Sequence, residues 1–320
     1  MAMRAEELLL GVDVAKAEIV IHALGESQPQ RLANERRAIS RYLKSLPGPA
    51  CLAVEATGTY HLDLVERAHA LGHHVYLIDG YRLNRYRESI GGRAKTDASD
   101  AQLLLRYLQR ERAELRAWTP PPAGYDSLQR LLRRRAALVR AEVALRQSLR
   151  ELPALKRPGQ ALLRQMQRLE QQFQAQIYQL LRQQGWAADA ARCDAIEGVG
   201  PLTAAALAVT FRRGAFSDDD AFIAYLGLDV RVRDSGRYHG RRKLTKKGNP
   251  ELRRLLYLAA MAASRSATWQ PCYQRYRNRG LSRIHSLVIL ARKLARVAFA
   301  LMKKQTTYQP KPHIQPGAGT

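Results

Sequence analysis

A chain of 320 residues that is 46% hydrophobic and 25% charged has the apolar content for real cores and the length for about two domains. Its 53 Lys and Arg stand against 28 Asp and Glu, a formal net charge of +25 that points to a polyanionic partner, nucleic acid above all. Its three cysteines, Cys51, Cys193 and Cys272, lie too far apart for a disulfide framework or a zinc module, which fits a reducing compartment.

The first 120 residues alternate between strand and helix patterns. The opening "MAMRAEELLLGVDV" is expected to lead into a strand rather than to act as a signal peptide. "ELLLGVDVAKAEIVIHALG" reads as two strands joined by a tight turn around Lys16, and "QRLAN" as a short third. "ERRAISRYLKSL" has helical spacing and stops at Pro47-Gly48. "ACLAVEAT" is a buried strand, "YHLDLVERAHALG" a helix ending on Gly72, and "HHVYLID" another strand. "YRLNRYRESI" and "DASDAQLLLRYLQRERAEL" follow as helices. His69 and His73 could share a helix face, but no acid or cysteine completes a ligand set, so they read as ordinary surface histidines. The order β-β-β-α-β-α-β-α resembles the ribonuclease H-like fold, a mixed sheet flanked by helices.

"WTPPPAGYDS" marks a boundary. Residues 126–152 and 160–184 have helical periodicity and are expected to split at "LPALKRPG", around Pro153, Pro158 and Gly159. They form a helical hairpin or coiled coil, serving either as intradomain helices or as an arm for oligomerisation or RNA binding. "DAIEGVGPLTAAALAV" resembles a helix-hairpin-helix, in which Gly198 and Gly200 let backbone N–H groups approach a phosphate; a simple tight turn reads equally well. In "FSDDDAFIAYLGL", Ser217 and Asp220 suggest a capping box, and the aspartate run is read as capping rather than metal binding. "SLVILARKLARVAFALM" is interrupted by Arg292, Lys293 and Arg296, so it is expected to be a buried or groove-binding helix and not a membrane span.

Charge follows the same divisions. Residues 1–120 carry net +2, residues 121–190 net +7 and residues 191–320 net +16. The expected organisation is an α/β domain over 1–120, a helical coiled-coil or linker region over 121–190, and a basic, mostly α-helical domain over 191–320.

Against this positive charge, four acids stand out. Asp13 lies inside the apolar strand "LLGVDVAK", where an unpaired charge is costly. Glu55 ends the apolar strand "CLAVEATGTY", and Asp97 and Asp100, three apart, share one side of a helix. Two-metal phosphodiester chemistry needs such converging oxygen ligands. Blander roles exist for each: Asp97 and Asp100 as an N-cap and its N3 partner, Asp13 as a turn residue, Glu55 as the partner of an arginine.

Together "GVDVAK", "VEATGTYH", "KTDASDAQLL" and "GVGPLTAAAL" resemble the DEDD transposases of insertion-sequence family one hundred and ten, which include the Piv-type DNA invertases. The resemblance covers about residues 8–305. It implies a RuvC-like domain in which Asp13, Glu55, Asp97 and Asp100 form an Asp-Glu-Asp-Asp tetrad binding Mg²⁺ (or Mn²⁺). It implies a nucleophilic serine in the Gly-rich segment "RVRDSGRYHGRRKLTKKGNPELRRLL", where Ser235, Gly236, Gly240, Lys246, Gly248 and Asn249 keep the pattern. It further implies donor and target DNA, a structured guide RNA, the bridge RNA, and a homo-oligomer, dimer or tetramer, whose subunits share sites.

Residues 231–254 hold ten Arg or Lys and two acids, Asp234 and Glu251. Arg231, Arg233, Arg237, Arg241, Arg242, Lys243, Lys246 and Lys247 are candidate nucleic-acid contacts. Ser235 before Gly236 suits an exposed, mobile loop, and on its residues alone it reads as a plain loop serine. Only Asp234 and His239 lie nearby to activate it. The resulting expectation is a bacterial, cytoplasmic, nucleoid-associated DNA recombinase. A metal-dependent junction-resolving nuclease with an idle serine, and a non-catalytic nucleic-acid-binding protein, are the alternatives.

Overall fold

The computed structural model describes residues 8–56, 58–91, 96–231, 234–235, 238–239 and 242–310. The chain divides into two compact units, Met1–Pro120 and Pro121–Thr320.

In the first unit the elements run β1 (Leu8–Val14), β2 (Glu18–Ala23), β3 (Gln30–Ala33), α1 (Arg36–Ser45), β4 (Ala50–Glu55), α2 (Leu62–Ala70), β5 (His74–Ile78), α3 (Gly80–Ser89) and α4 (Asp97–Glu111). The strands form one mixed sheet in the order β3-β2-β1-β4-β5. β1 pairs antiparallel with β2, and β2 with β3; β1 pairs parallel with β4, and β4 with β5.

Strand periodicity of two sorts the side chains between two layers. Leu10, Val12 and Val14 join Leu52 and Val54 in a core with Ile39, Leu43, Leu64 and Val65 of α1 and α2. On the other face, Cys51 and Ala53 meet Leu103, Leu104, Tyr107 and Leu108 of α4. Asp13 and Glu55 are in phase with this second set, so the sheet turns both acids towards the α4 side. Gly11 sets how near α4 comes. A Cβ there would lie 2.0 Å from the Ala101 carbonyl oxygen and 2.4 Å from the Leu105 nitrogen, so the helix backbone rests directly on the strand.

In the second unit, α5 (Tyr125–Ser148) and α6 (Lys156–Gln183) fold back on each other. The break expected at "LPALKRPG" lies between Ser148 and Lys156 and includes Pro153, whereas Pro158 and Gly159 fall inside the first turn of α6, where proline's missing N–H costs nothing. Buried polar groups clasp the hairpin. Arg135 pairs with Glu170, and Glu142 accepts from Arg146 at 2.5 Å and Gln167 at 3.2 Å. At the hairpin base, Leu128, Leu132, Ile177 and Leu181 enter the core formed by the helices that follow.

Those helices are α7 (Ala187–Asp194), α8 (Pro201–Arg212), α9 (Asp219–Leu226), α10 (Pro250–Ala263), α11 (Gln270–Asn278) and α12 (Arg283–Lys304). α12 contributes Leu290, Leu294, Ala295 and Ala298 to this core, which is where the apolar stretch broken by Arg292, Lys293 and Arg296 belongs. Among the described residues no helix is long and apolar enough to cross a membrane. Asp189, 1% exposed, accepts from Arg192 at 3.2 Å, Arg212 at 2.7 Å and Gln305 at 3.1 Å, which ties α7 and α8 to the end of α12. The capping box expected at Ser217 and Asp220 does not form. Asp218 caps α9, accepting from the Ala221 N–H at 2.8 Å, while Asp219 and Asp220 pair with Arg296.

The basic segment between α9 and α10, expected as a loop, carries four two-residue strands: β6 (Val230–Arg231), β7 (Asp234–Ser235), β8 (Tyr238–His239) and β9 (Lys243–Leu244). β6 pairs with β9, and β7 with β8, both antiparallel.

Candidate active site

The start of α4 carries two of the four acids, and neither caps it. Thr96 is the N-cap: its hydroxyl accepts from the Ser99 N–H at 3.2 Å, and the Ser99 hydroxyl accepts from the Thr96 N–H at 2.8 Å. The reading of Asp97 and Asp100 as cap and N3 partner is therefore wrong; with the cap supplied by Thr96 and Ser99, both carboxylates are left for other work. Asp97 is exposed, and Asp100 is 7% exposed against the sheet.

Asp13 lies on β1 one residue past Val12, which is in register with Val54, the residue before Glu55. Asp13 and Glu55 are thus neighbours on adjacent parallel strands. The Asp13 carboxyl is pushed up to about 6 by burial first, then by the charges of Asp100, Asp97 and Glu55; the Val14 N–H works in the opposite sense. All four acids belong to one electrostatic cluster. Glu55 reaches the first turn of α3, where a Cβ on Gly80 would stand 2.6 Å from its Oε1. From the same helix, Arg87 Nη2 donates to Asp100 Oδ1 at 2.7 Å, with the two side chains 14% and 10% exposed. Among the described residues no three Asp, Glu, His or Cys side chains close into a ready coordination shell. The donors are nonetheless all carboxylate oxygens, and the repulsion centred on Asp13 is what a hard divalent cation would relieve.

Ser235 ends β7 and is exposed. Its backbone is in register with Tyr238, as Asp234 is with His239. Gly236, Arg237, Gly240, Arg241 and Arg233 lie outside the described residues. Arg231 faces Lys243 across the outer ladder, a like-charge pairing that disfavours the ladder unless an anion lies over it. Arg231, Arg242, Lys243, Lys246 and Lys247 are all exposed.

The foot of the hairpin is fixed. A Cβ on Gly248 would lie 2.3 Å from the Tyr225 carbonyl oxygen, and one on Gly227 2.4 Å from the Gly248 nitrogen, so the two backbones touch. Arg253 donates to the Gly248 carbonyl at 2.5 Å, and Asn249 caps α10 through the Glu251 N–H at 2.9 Å. At the other glycine-rich turn, Gly198 has φ +87° and packs on α10, where a Cβ would be 2.4 Å from the Ala263 nitrogen. Gly200 is the exposed N-cap of α8 with open space beside it. Of the pair, Gly198 is required by packing and Gly200 leaves a helix N-terminus accessible.

Two family models match the chain. One, a transposase model of the IS110 DEDD type, covers residues 10–158; the other, described as the transposase IS116/IS110/IS902 family, covers residues 190–277. The chain belongs to the IS110 transposase family. A "probable family 20 transposase" of Pseudomonas aeruginosa is 29% identical, with 94% of this chain and 98% of the relative covered. Pilin gene-inverting proteins of Moraxella bovis and Moraxella lacunata are 28% and 27% identical, each with 82% of this chain and 83% of the relative covered.

In this IS110-family chain the first match spans the acid cluster and the second spans the basic hairpin. Sequence reasoning missed three residues that shape the cluster: Gly11, Gly80 and Arg87. Gly11 could have been found, because a lone glycine inside a strand pattern signals close backbone approach. Gly80 and Arg87 carry no local signal; their roles arise only where α3 meets the ends of β4 and α4.

Proposed function

We propose that this transposase cuts and rejoins DNA strands of a mobile element through a phosphoserine bond at Ser235, with Asp13, Glu55, Asp97 and Asp100 holding Mg²⁺ or Mn²⁺. The observation that carries the reading is that burial, and then the charges of all three other acids, raise the half-buried Asp13 carboxyl, which has no ion-pair partner among the described residues. The sheet order β3-β2-β1-β4-β5, with acids on the first strand, at the end of the fourth and on a packed helix, supports a RuvC/ribonuclease H-like assignment for the first unit.

When bound, the metal ions supply Lewis acidity and offset charge on the reacting phosphate. The chain's own residues do the rest. Ser235 Oγ bonds to phosphorus as the bond to the 3′ oxygen breaks; the hydroxyl proton passes to solvent, and the departing oxygen takes up a proton. The phosphodiester energy stays in the phosphoester, so a 3′ hydroxyl can reverse the step without ATP. Arg231, Arg233, Arg237, Arg241, Arg242, Lys243, Lys246 and Lys247 neutralise strand charge, and the exposed N-terminus of α8 at Gly200, in a helix-hairpin-helix-like turn, offers N–H groups to another phosphate.

The division into 1–120, 121–190 and 191–320 assigns the tetrad, the arm and the serine to separate stretches. Leu155, Leu162 and Leu169 recur at heptad spacing and are 47%, 47% and 44% exposed, which supports an arm that pairs with another copy or packs on the guide RNA. Tetrad and serine from different subunits then complete one site.

Metal binding tests the acid cluster without reference to turnover. Mn²⁺ at 100 times its Kd stabilises a single-site protein by about 2.7 kcal/mol. The wild-type melting temperature should rise with Mn²⁺, and the rise should shrink in Asp97→Asn, whose exposed side chain carries little of the fold. A wild-type melting curve indifferent to both Mn²⁺ and Mg²⁺ would contradict the assignment.

A further inference from the structure

A second feature of the first unit is a cleft of 620 Å³ running along α4, from Ser99 to Arg110, to the end of β2. Its walls include His22, Glu26, Arg87, Gln102, Arg106 and Arg110. With Arg87 neutralised by Asp100, Arg106 and Arg110 against Glu26 leave the groove cationic on a unit whose overall charge is almost balanced. Gln102, Arg106 and Arg110 recur every four residues, so they form a single exposed stripe on α4. Among the described residues neither Arg106 nor Arg110 has an ion-pair partner.

The floor supplies an independent observation. His22 is 9% exposed, and among the described residues its Nδ1 has no hydrogen-bond partner. A buried polar atom left unsatisfied costs about 1–3 kcal/mol, and a ligand group in the cleft would remove that cost. His22 is paired in register with Gly11 and Asp13 with Val20, so the imidazole sits two residues, about 7 Å, along the sheet from the acid cluster. Arg87 joins the two features, since it lines the cleft and holds Asp100.

We infer that this cleft seats the sugar-phosphate backbone of the DNA strand being cut, with Arg106 and Arg110 on its phosphates and His22 hydrogen-bonded to the nucleotide nearest the acid cluster. Arginine forks suit phosphate oxygens, and contacts of this kind fix register without reading sequence. DNA is favoured over RNA because Arg87 links the groove to the acids that the proposed function assigns to DNA cutting. The inference rests on the reading of those acids as the cutting site, and it adds a strand contact that the basic second unit does not provide.

The test uses the full-length double variant Arg106→Ala/Arg110→Ala, whose changes are on exposed side chains and should leave the melting temperature unaltered. Single-stranded DNA containing 5-iodouracil is cross-linked to it and to the wild type, and the peptides are mapped; RNA of the same sequence forms a parallel arm. In the wild type, DNA cross-links should fall within residues 20–26 and 99–110 and disappear in the variant, while those at 231–247 persist. Two lost phosphate contacts should also flatten the log–log salt dependence of single-strand binding by about 1.4. An unchanged slope, DNA cross-links confined to the second unit, or labelling of the cleft by RNA alone would each overturn the inference. Cross-links in the cleft with no Mn²⁺ stabilisation would keep the strand contact and remove the metal reading instead.

Discussion

Asp13→Asn is expected to abolish strand exchange and, in metal-free buffer above pH 6, to make the protein more stable. The carboxyl is raised from 3.8 to about 6 in the folded chain. Below pH 4 both folded and unfolded states hold the proton, and the group is neutral with respect to stability. Between about pH 4 and 6 the unfolded state loses its proton first, so stability falls as pH rises, and the deficit persists above pH 6. Two pKa units correspond to about 3 kcal/mol at most. Solvent screening of a half-buried group reduces this to ~1 kcal/mol. Asparagine cannot ionise, so the variant should gain that ~1 kcal/mol at pH 7.5 in EDTA and nothing at pH 3.5. Its recombination rate should drop by about 10³-fold or more, as for removal of one member of a catalytic set. Denaturant melts at the two pH values read the stability; equal stability at pH 7.5 would mean that neither burial nor the neighbouring acids raise the Asp13 carboxyl.

Gly11→Val should be the most damaging small substitution in the first unit. The Cβ alone would stand 2.0 Å from the Ala101 carbonyl oxygen, and the obstructing atoms are backbone, which cannot rotate aside. α4 must move off the sheet, at a cost of about 3 kcal/mol or more. The same movement takes Asp97 and Asp100 away from Asp13, so the Asp13 pKa should fall back towards 3.8 in whatever fraction still folds. A shift in the urea midpoint and an NMR titration of the carboxyl measure both effects. Gly214→Ala, with open space around its Cβ, is the control and should change stability by no more than about 0.5 kcal/mol.

Both variants bear on what the sequence made legible. The element order of residues 8–111 could be read because its strands are short apolar runs bounded by turn residues, and because α1, α2 and α4 show helical spacing. Asp13 and Glu55 were visible for the same reason, as carboxylates inside apolar strands. Asp100 was visible, but its ion pair with Arg87 was not, since that pair exists only where α3 and α4 meet. The capping assignment at Asp97 failed because Thr96 and Ser99 already satisfy each other. Strands β6 to β9 fall below any periodicity window: two residues each, they depend on cross-strand pairing that composition does not reveal. Gly248 and Asn249 were noticed as a pattern, but the reasons for them, backbone contact with Tyr225 and a cap on α10, needed three dimensions.

Whether Ser235 carries the broken strand can be read directly. Wild-type protein is trapped with Mg²⁺ on a nicked suicide DNA substrate, digested, and the modified peptide located by mass spectrometry. The peptide should contain Ser235 joined to a 5′ phosphate, and Ser235→Ala should bind the substrate and give no adduct. An adduct on a tyrosine or on another serine such as Ser264 or Ser266, or metal-dependent cleavage that leaves no adduct, would contradict recombination through this serine.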